Sequence, residues 1–167
     1  MTDAEAWYVL DSNILLRIGI QHHADFPQIR SAIDELEARN APLAYTLQNM
    51  TEFWNAATRP VDRNGFGLTI QEADTIAQEF ERTFTFLPDT ELVYYEWRSL
   101  VTAHEVKGLK VYDARLVALM RVYGIQHILT LNDADFRRYP GIIAVHPDEV
   151  IKQKGKPVEP EEGPQDI

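Results

Sequence analysis

The 167-residue sequence contains no cysteine. Disulfides, thiolate metal sites and thiol nucleophiles are thereby excluded, and the absence suits a reducing compartment. No apolar run approaches the roughly 18 residues of a membrane span. The opening "MTDAEAW" is acidic and lacks the basic and apolar segments of an export signal. The expectation is a cytoplasmic protein with no membrane partner. Positive charge is scarce too: 16 Lys and Arg face 26 Asp and Glu, for a formal net charge of −10. Such a chain repels nucleic acid at long range unless cations or local bases intervene. The five histidines show no metal-ligand spacing, so a histidine-based zinc site has no support. Phosphate-cradling glycine motifs and the G-x-S-x-G nucleophile turn are also missing.

What remains is an ordinary globular profile, 45% hydrophobic and 25% charged, in a length that suits one domain. We place that domain at 1–150 and read 151–167 as a flexible acidic tail rich in Pro, Glu and Gly. Within the domain, short apolar runs alternate with helical patterns. Strands are expected at 7–10, 41–45, 84–87, 127–131 and 142–145. Helices are expected at 27–39, 47–58, 69–82, from about Thr90, and at 113–124. On the 47–58 helix, Leu47, Met50, Trp54 and Ala57 form the expected inward stripe. Thr69 and Glu72 make a capping box, and Gly124 suits the position after a helix end. Apolar strands separated by helices predict a three-layer α/β/α fold around a mostly parallel sheet of about five strands. Ligands of such sheets bind beyond the carboxyl ends of the strands, so acids placed there are candidates for chemistry.

Four acidic positions meet or approach that criterion. Asp11 directly follows the first strand in "WYVLDSNILLRI"; it can cap the next helix, bind a cation, or do both. Glu52 lies in the second turn of the helix after the second strand. Alone it reads as a surface glutamate, but it can lean back toward the strand end. Asp113 heads an apolar face with Leu116, Val117 and Met120. As an N-cap it would be routine. Inside the first turn it would need a metal or a donor network, since an unpaired buried charge is very costly. "TLNDADF" crowds Asn132, Asp133 and Asp135 into one strand-to-helix turn, where Asx residues are common anyway. Converging carboxylates repel unless a cation joins them. Hard oxygen donors without Cys or paired His point to Mg2+ or Mn2+.

Four segments, in this order, give the sequence its resemblance to PIN-domain ribonucleases, in particular the VapC-like toxins of toxin–antitoxin pairs. They are "YVLDSNILLRI", "LQNMTEFWNAATRP", "KVYDARLVALMRVYGI" and "HILTLNDADFRRYPGIIAVHPDEV", together spanning about 7–150. The resemblance implies a metal-dependent endoribonuclease that leaves a 5′-phosphate and a 3′-hydroxyl. Asp11, Glu52, Asp113 and Asp135 would hold one or two Mg2+ or Mn2+ ions, with Glu52 or Asp135 taking the proton of the attacking water. Ser12, Asn13, Asn132 and Asp133 would support them. Arg137 and Arg138, beside the fourth acid, and Arg17 and Arg59, beside the first two motifs, would grip RNA. An antitoxin protein and a homodimer are the implied partners, with dimer surfaces expected around "ERTFTFL" and "ELVYYEW". Two other readings stay open. One is a PIN-fold binding module with weakened catalysis, since Asn132 stands where an acid is possible. The other is a small-molecule phosphatase, though Asn13 stands where aspartyl-phosphate enzymes carry a second acid.

Overall fold

Tyr8, Val9 and Leu10 form the first strand, β1, and all three are buried. The computed structural model describes residues 6–153. The other strands are β2 (Leu43–Thr46), β3 (Thr85–Leu87), β4 (His127–Leu129) and β5 (Ile143–Val145). They make one sheet in the order β3-β2-β1-β4-β5, and every pair is parallel. Because successive strand residues point to opposite faces, β1 feeds two cores. Tyr8 and Leu10 join the layer of α1 (Ser12–Gly19), α2 (Phe26–Ala38) and α3 (Leu47–Thr58). Phe80 and Phe84 from the end of α4 (Ile70–Thr83) and Val150 from α7 (Pro147–Gln153) complete that layer. Val9 joins the opposite layer, built from α5 (Glu91–Ala103) and α6 (Lys110–Val122). The expected three-layer parallel architecture is therefore present. The order reverses direction at β1, with β2 on one side and β4 on the other, and it is beyond the carboxyl ends of strands at such a switch point that α/β sheets bind their ligands.

Local chemistry explains most boundaries. Thr69 and Glu72 cap α4 reciprocally, as expected. Gly124 follows α6 with φ +69°, a conformation that costs a β-carbon-bearing residue about 1 kcal/mol. Three expectations need correction. The stripe of α3 is rotated: Ala57 is buried as expected, but its buried companions are Gln48, Asn49 and Phe53, while Met50 and Trp54 are half-buried and Leu47 is exposed. The cause is the cap. Thr46 and Asn49 form a reciprocal capping box, with the Asn49 side chain accepting from Thr46 N (3.0 Å). Asn49 is thus fixed against the end of β2, and Phe53 and Ala57 follow it at intervals of four. Second, α6 begins at Lys110, so Asp113 is in its first turn and is not its cap. Third, Pro147–Gln153 is helical, which carries ordered structure past residue 150. Of the expected acidic tail, residues 154–167 lie outside the described residues.

Candidate active site

Asp11 sits where β1 ends and α1 begins, and its backbone N–H still continues the sheet by donating to Leu129 O (3.0 Å). Its carboxylate is the cap of α1, with Oδ1 accepting from Ser12 N (2.7 Å). Oδ2 accepts from the Thr130 hydroxyl (2.7 Å) and the Asn13 amide (3.2 Å). Thr130 follows β4 directly and is wholly buried. Its oxygen also accepts from Asn132 N (3.0 Å), and Asn13 Oδ1 accepts from Leu131 N (3.3 Å). The ends of β1 and β4 are thus tied together through one carboxylate. Burial pushes the Asp11 carboxyl up to about 6, against the Thr130 and Ser12 hydrogen bonds, and the charges of Glu52 and Asp113 raise it further.

Glu52 reaches the same place from α3. One carboxylate oxygen accepts from the Ser12 hydroxyl (2.5 Å) and the other from the Gln48 amide (2.9 Å). Gln48 uses the same nitrogen to donate to Tyr112 O (3.0 Å), joining α3 to the first turn of α6. Its Oε1 is buried and has no hydrogen-bond partner. Ser12 also accepts from the Asn49 amide (3.4 Å).

Asp113 and Asp135 form the other half. The side chain of Asp113 is 28% exposed, and the ammonium of Lys110, one turn back, lies 3.5 Å away. Burial raises the Asp113 carboxyl above its ordinary value; Lys110 opposes that, while Asp135 and Glu52 add to it. The same ammonium donates to Asp135 Oδ1 (2.6 Å). Asp135 belongs to a 3-10 turn, Asp133–Phe136, and Phe136 anchors that turn in the core. Asp133 pairs instead with Arg137 (2.7 Å), whose hydrogen bond holds its carboxyl below the usual range. Of the two acids in this turn, Asp135 is therefore the one coupled to Asp113.

Asp11, Glu52, Asp113 and Asp135 thus approach closely enough for each to be perturbed by, or to perturb, another of the four. As they stand, no three His, Cys, Asp or Glu side chains among the described residues are near enough together to hold a metal ion. The donor chemistry nevertheless fits a hard divalent cation: all the candidate donors are oxygens, two of the carboxyls are raised by burial, and Gln48 Oε1 lies unpaired beside Glu52. The basic residues differ in their commitments. Arg17 bonds Asp25 and the Asn13 carbonyl. Arg59 donates to Asn64 O (2.8 Å) and so braces the loop after α3. Arg137 is exposed while paired with Asp133, and Arg138 is exposed next to it. Thr130, Gln48 and Lys110 were not singled out from the sequence. The available signals were a threonine closing an apolar strand, a glutamine four residues before Glu52, and a lysine three residues before Asp113.

Solved structures share this architecture at low sequence identity. VapBC2 from Rickettsia felis, in a structure bound to a DNA fragment from its promoter, matches with a TM-score of 0.62 and 17% identity over 84% of this chain and 98% of its own. A toxin–antitoxin complex from Klebsiella pneumoniae gives 0.56 and 21%, over 84% and 97%. VapC20 from Mycobacterium tuberculosis, a toxin that cleaves the sarcin–ricin loop, gives 0.52 and 21%, over 72% and 86%. No curated protein matches the sequence. The family model described as the PIN domain matches residues 8–142, and this chain belongs to the PIN-domain family.

Proposed function

We propose that this protein is a Mg2+- or Mn2+-dependent endoribonuclease, the toxin of a toxin–antitoxin pair. The observation that carries the reading is the approach of four acids from separate elements toward the carboxyl edge of the sheet, near enough to perturb one another's ionisation. Asp11 follows β1, Glu52 is on α3, Asp113 is on α6 and Asp135 follows β4. Nothing in the packing of a parallel sheet requires that convergence, and its electrostatic cost calls for a cation.

Asp11, Glu52, Asp113 and Asp135 would hold the ion. A hard divalent cation there supplies acidification of water and neutralisation of charge on the phosphoryl oxygens. The chain contributes orientation. Thr130 and Asn13 fix one Asp11 oxygen, and Ser12 and Gln48 clamp the two oxygens of Glu52 from opposite sides. Glu52 is exposed, so it can accept a proton from water at the substrate; Asp135 is the other candidate base. RNA would be gripped by Arg137 and Arg138 on the rim, with Arg17 and Arg59 as further candidates. Toxin–antitoxin complexes among the structural neighbours support an antitoxin partner, and a cationic antitoxin segment suits an acidic cleft. Phe86, Leu92, Tyr94 and Tyr95 are exposed on β3 and α5, which supports a homodimer through that face. No described helix is long and apolar enough to cross a membrane, and we place the protein in the cytoplasm.

The test is cleavage of a mixed RNA pool by the purified chain, with Mg2+ or Mn2+ against EDTA, with Asp11→Asn as control. Metal-dependent internal cuts leaving 5′-phosphates, lost in the variant, are expected. Metal binding without cleavage of any RNA would favour the catalytically weakened binding module, a reading to which the separation of the acids lends weight.

A further inference from the structure

We infer that Lys110 is a resident counter-ion of the acid cluster, one that holds Asp113 and Asp135 together in the metal-free protein and must yield its place when a divalent cation enters. The inference rests on the metal-site reading above. Three observations support it. The ammonium contacts two carboxylates on different elements, 2.6 Å from Asp135 and 3.5 Å from Asp113. It is the only cationic partner of Asp113 among the described residues. And Lys110 opens α6, where the positive end of the helix dipole disfavours a cation. Helix formation gains nothing from a lysine there; the two acids do.

An exposed lysine–aspartate pair alone would mean little. This one bridges two of the groups that a metal would need, so its loss has a consequence that an ordinary surface pair would not produce. Lys110 cannot share the space between Asp113 and Asp135 with a divalent ion, since the two cations repel. The Lys110 side chain is 52% exposed, so it has room to swing outward. Its presence also bears on why no three of the acids are near enough together to hold an ion as they stand: Asp113 and Asp135 are drawn to Lys110, while Asp11 and Glu52 are held by Thr130, Ser12 and Gln48.

The experiment is calorimetric titration of the full chain with Mn2+ alone, comparing wild type, Lys110→Met, Lys110→Gln and Lys107→Met. Lys107 is exposed and removes the same charge without the bridge. Mn2+ is expected to bind roughly three- to tenfold more tightly to both Lys110 variants, with Lys107→Met changing affinity less than about twofold. In wild type carrying 13C-methylated lysines, the Lys110 signal should move on Mg2+ titration, and Asp135→Asn should abolish that movement. Equal effects at Lys107 and Lys110, or weaker Mn2+ binding without Lys110, would overturn the inference while leaving the metal site standing. Absence of Mn2+ binding by every protein would overturn both.

Discussion

Replacing Thr130 by Val tests whether the orientation of Asp11, and not merely its presence, makes the site. Valine keeps the β-branched shape at the end of β4, so the sheet should persist. What disappears is the hydroxyl that donates to Asp11 Oδ2 at 2.7 Å and accepts from Asn132 N at 3.0 Å. A hydrogen bond to a charged group contributes about 1.5–3 kcal/mol, and one pKa unit corresponds to about 1.4 kcal/mol. The Asp11 carboxyl, already pushed up to about 6, should therefore rise by roughly one to two units. Near neutral pH much of the variant would carry a proton on Asp11 that a metal must displace. With the lost orientation added, Mn2+ affinity should fall about 10- to 100-fold at pH 7. Affinity should recover as pH rises toward about 8. The Asn132 N–H left without its acceptor should cost about 1–2 kcal/mol of stability. The assay is Mn2+ titration across pH 5.5–8.5, with urea unfolding in EDTA alongside. Thr130→Ser should restore both affinity and the pH profile. If wild type and Thr130→Val give superimposable affinity–pH curves, Thr130 does not tune Asp11 and the account of the site is wrong at its centre.

Other outcomes follow from the same geometry. Because the folded-state pKa of Asp11 is raised from 3.8 to about 6, the folded protein binds that proton more tightly than the unfolded chain, so its contribution to stability declines as pH climbs through this window. In EDTA, Asp11→Asn should be more stable than wild type at pH 7.5 by up to about 3 kcal/mol, an advantage that fades toward pH 4; urea melts at the two pH values would expose an absent or reversed trend. Asp113→Asn should reduce RNA cleavage by more than about a hundredfold while leaving the metal-free melting temperature unchanged or higher, since it relieves repulsion from Asp135 and Glu52. A variant that is both inactive and unstable would make Asp113 structural. Phe53→Ala should cost about 3–5 kcal/mol because Phe53 is wholly buried. Trp54→Ala should cost clearly less, and the reverse ranking would contradict the observed rotation of α3.

How much of this could be read from the sequence depended on whether the deciding contact was local. The parallel sheet was legible because each strand is an uninterrupted apolar run bounded by a helix. Asp11 and the "NDAD" turn were legible because a strand's end is where an α/β sheet binds ligands. The inward face of α3 was not. Ala57 can continue a stripe through Leu47, Met50 and Trp54 as well as one through Phe53, and the choice is made by Thr46 and Asn49 across the strand–helix junction. The part played by Asp113 turned on three residues. Starting α6 at Lys110 moves the carboxylate from a capping position into the first turn, where burial raises its pKa and, among the described residues, Lys110 stands against it.

The residues that escaped notice share a property. Thr130 lies 119 positions from the carboxylate it serves, Gln48 lies 64 from the Tyr112 carbonyl it also bonds, and Lys110 lies 25 from Asp135. No periodicity registers such pairs. Yet they decide the state of the acids. Topology delivers four carboxylates to one edge, and like charges then part unless something positive or hydrogen-bonding restrains them. Thr130 and Ser12 restrain Asp11, Ser12 and Gln48 restrain Glu52, and Lys110 restrains the other two acids. The cluster is therefore divided by its own donors into two pairs. A divalent cation joining them would have to displace only Lys110, because Asp11 Oδ1 and the two Glu52 oxygens each accept a single one of the hydrogen bonds described and keep a lone pair for a metal, while Asp11 Oδ2 is taken up by Thr130 and Asn13. That asymmetry predicts which half of the site moves on metal entry: Asp113 and Asp135 should shift, while Asp11 stays on Thr130.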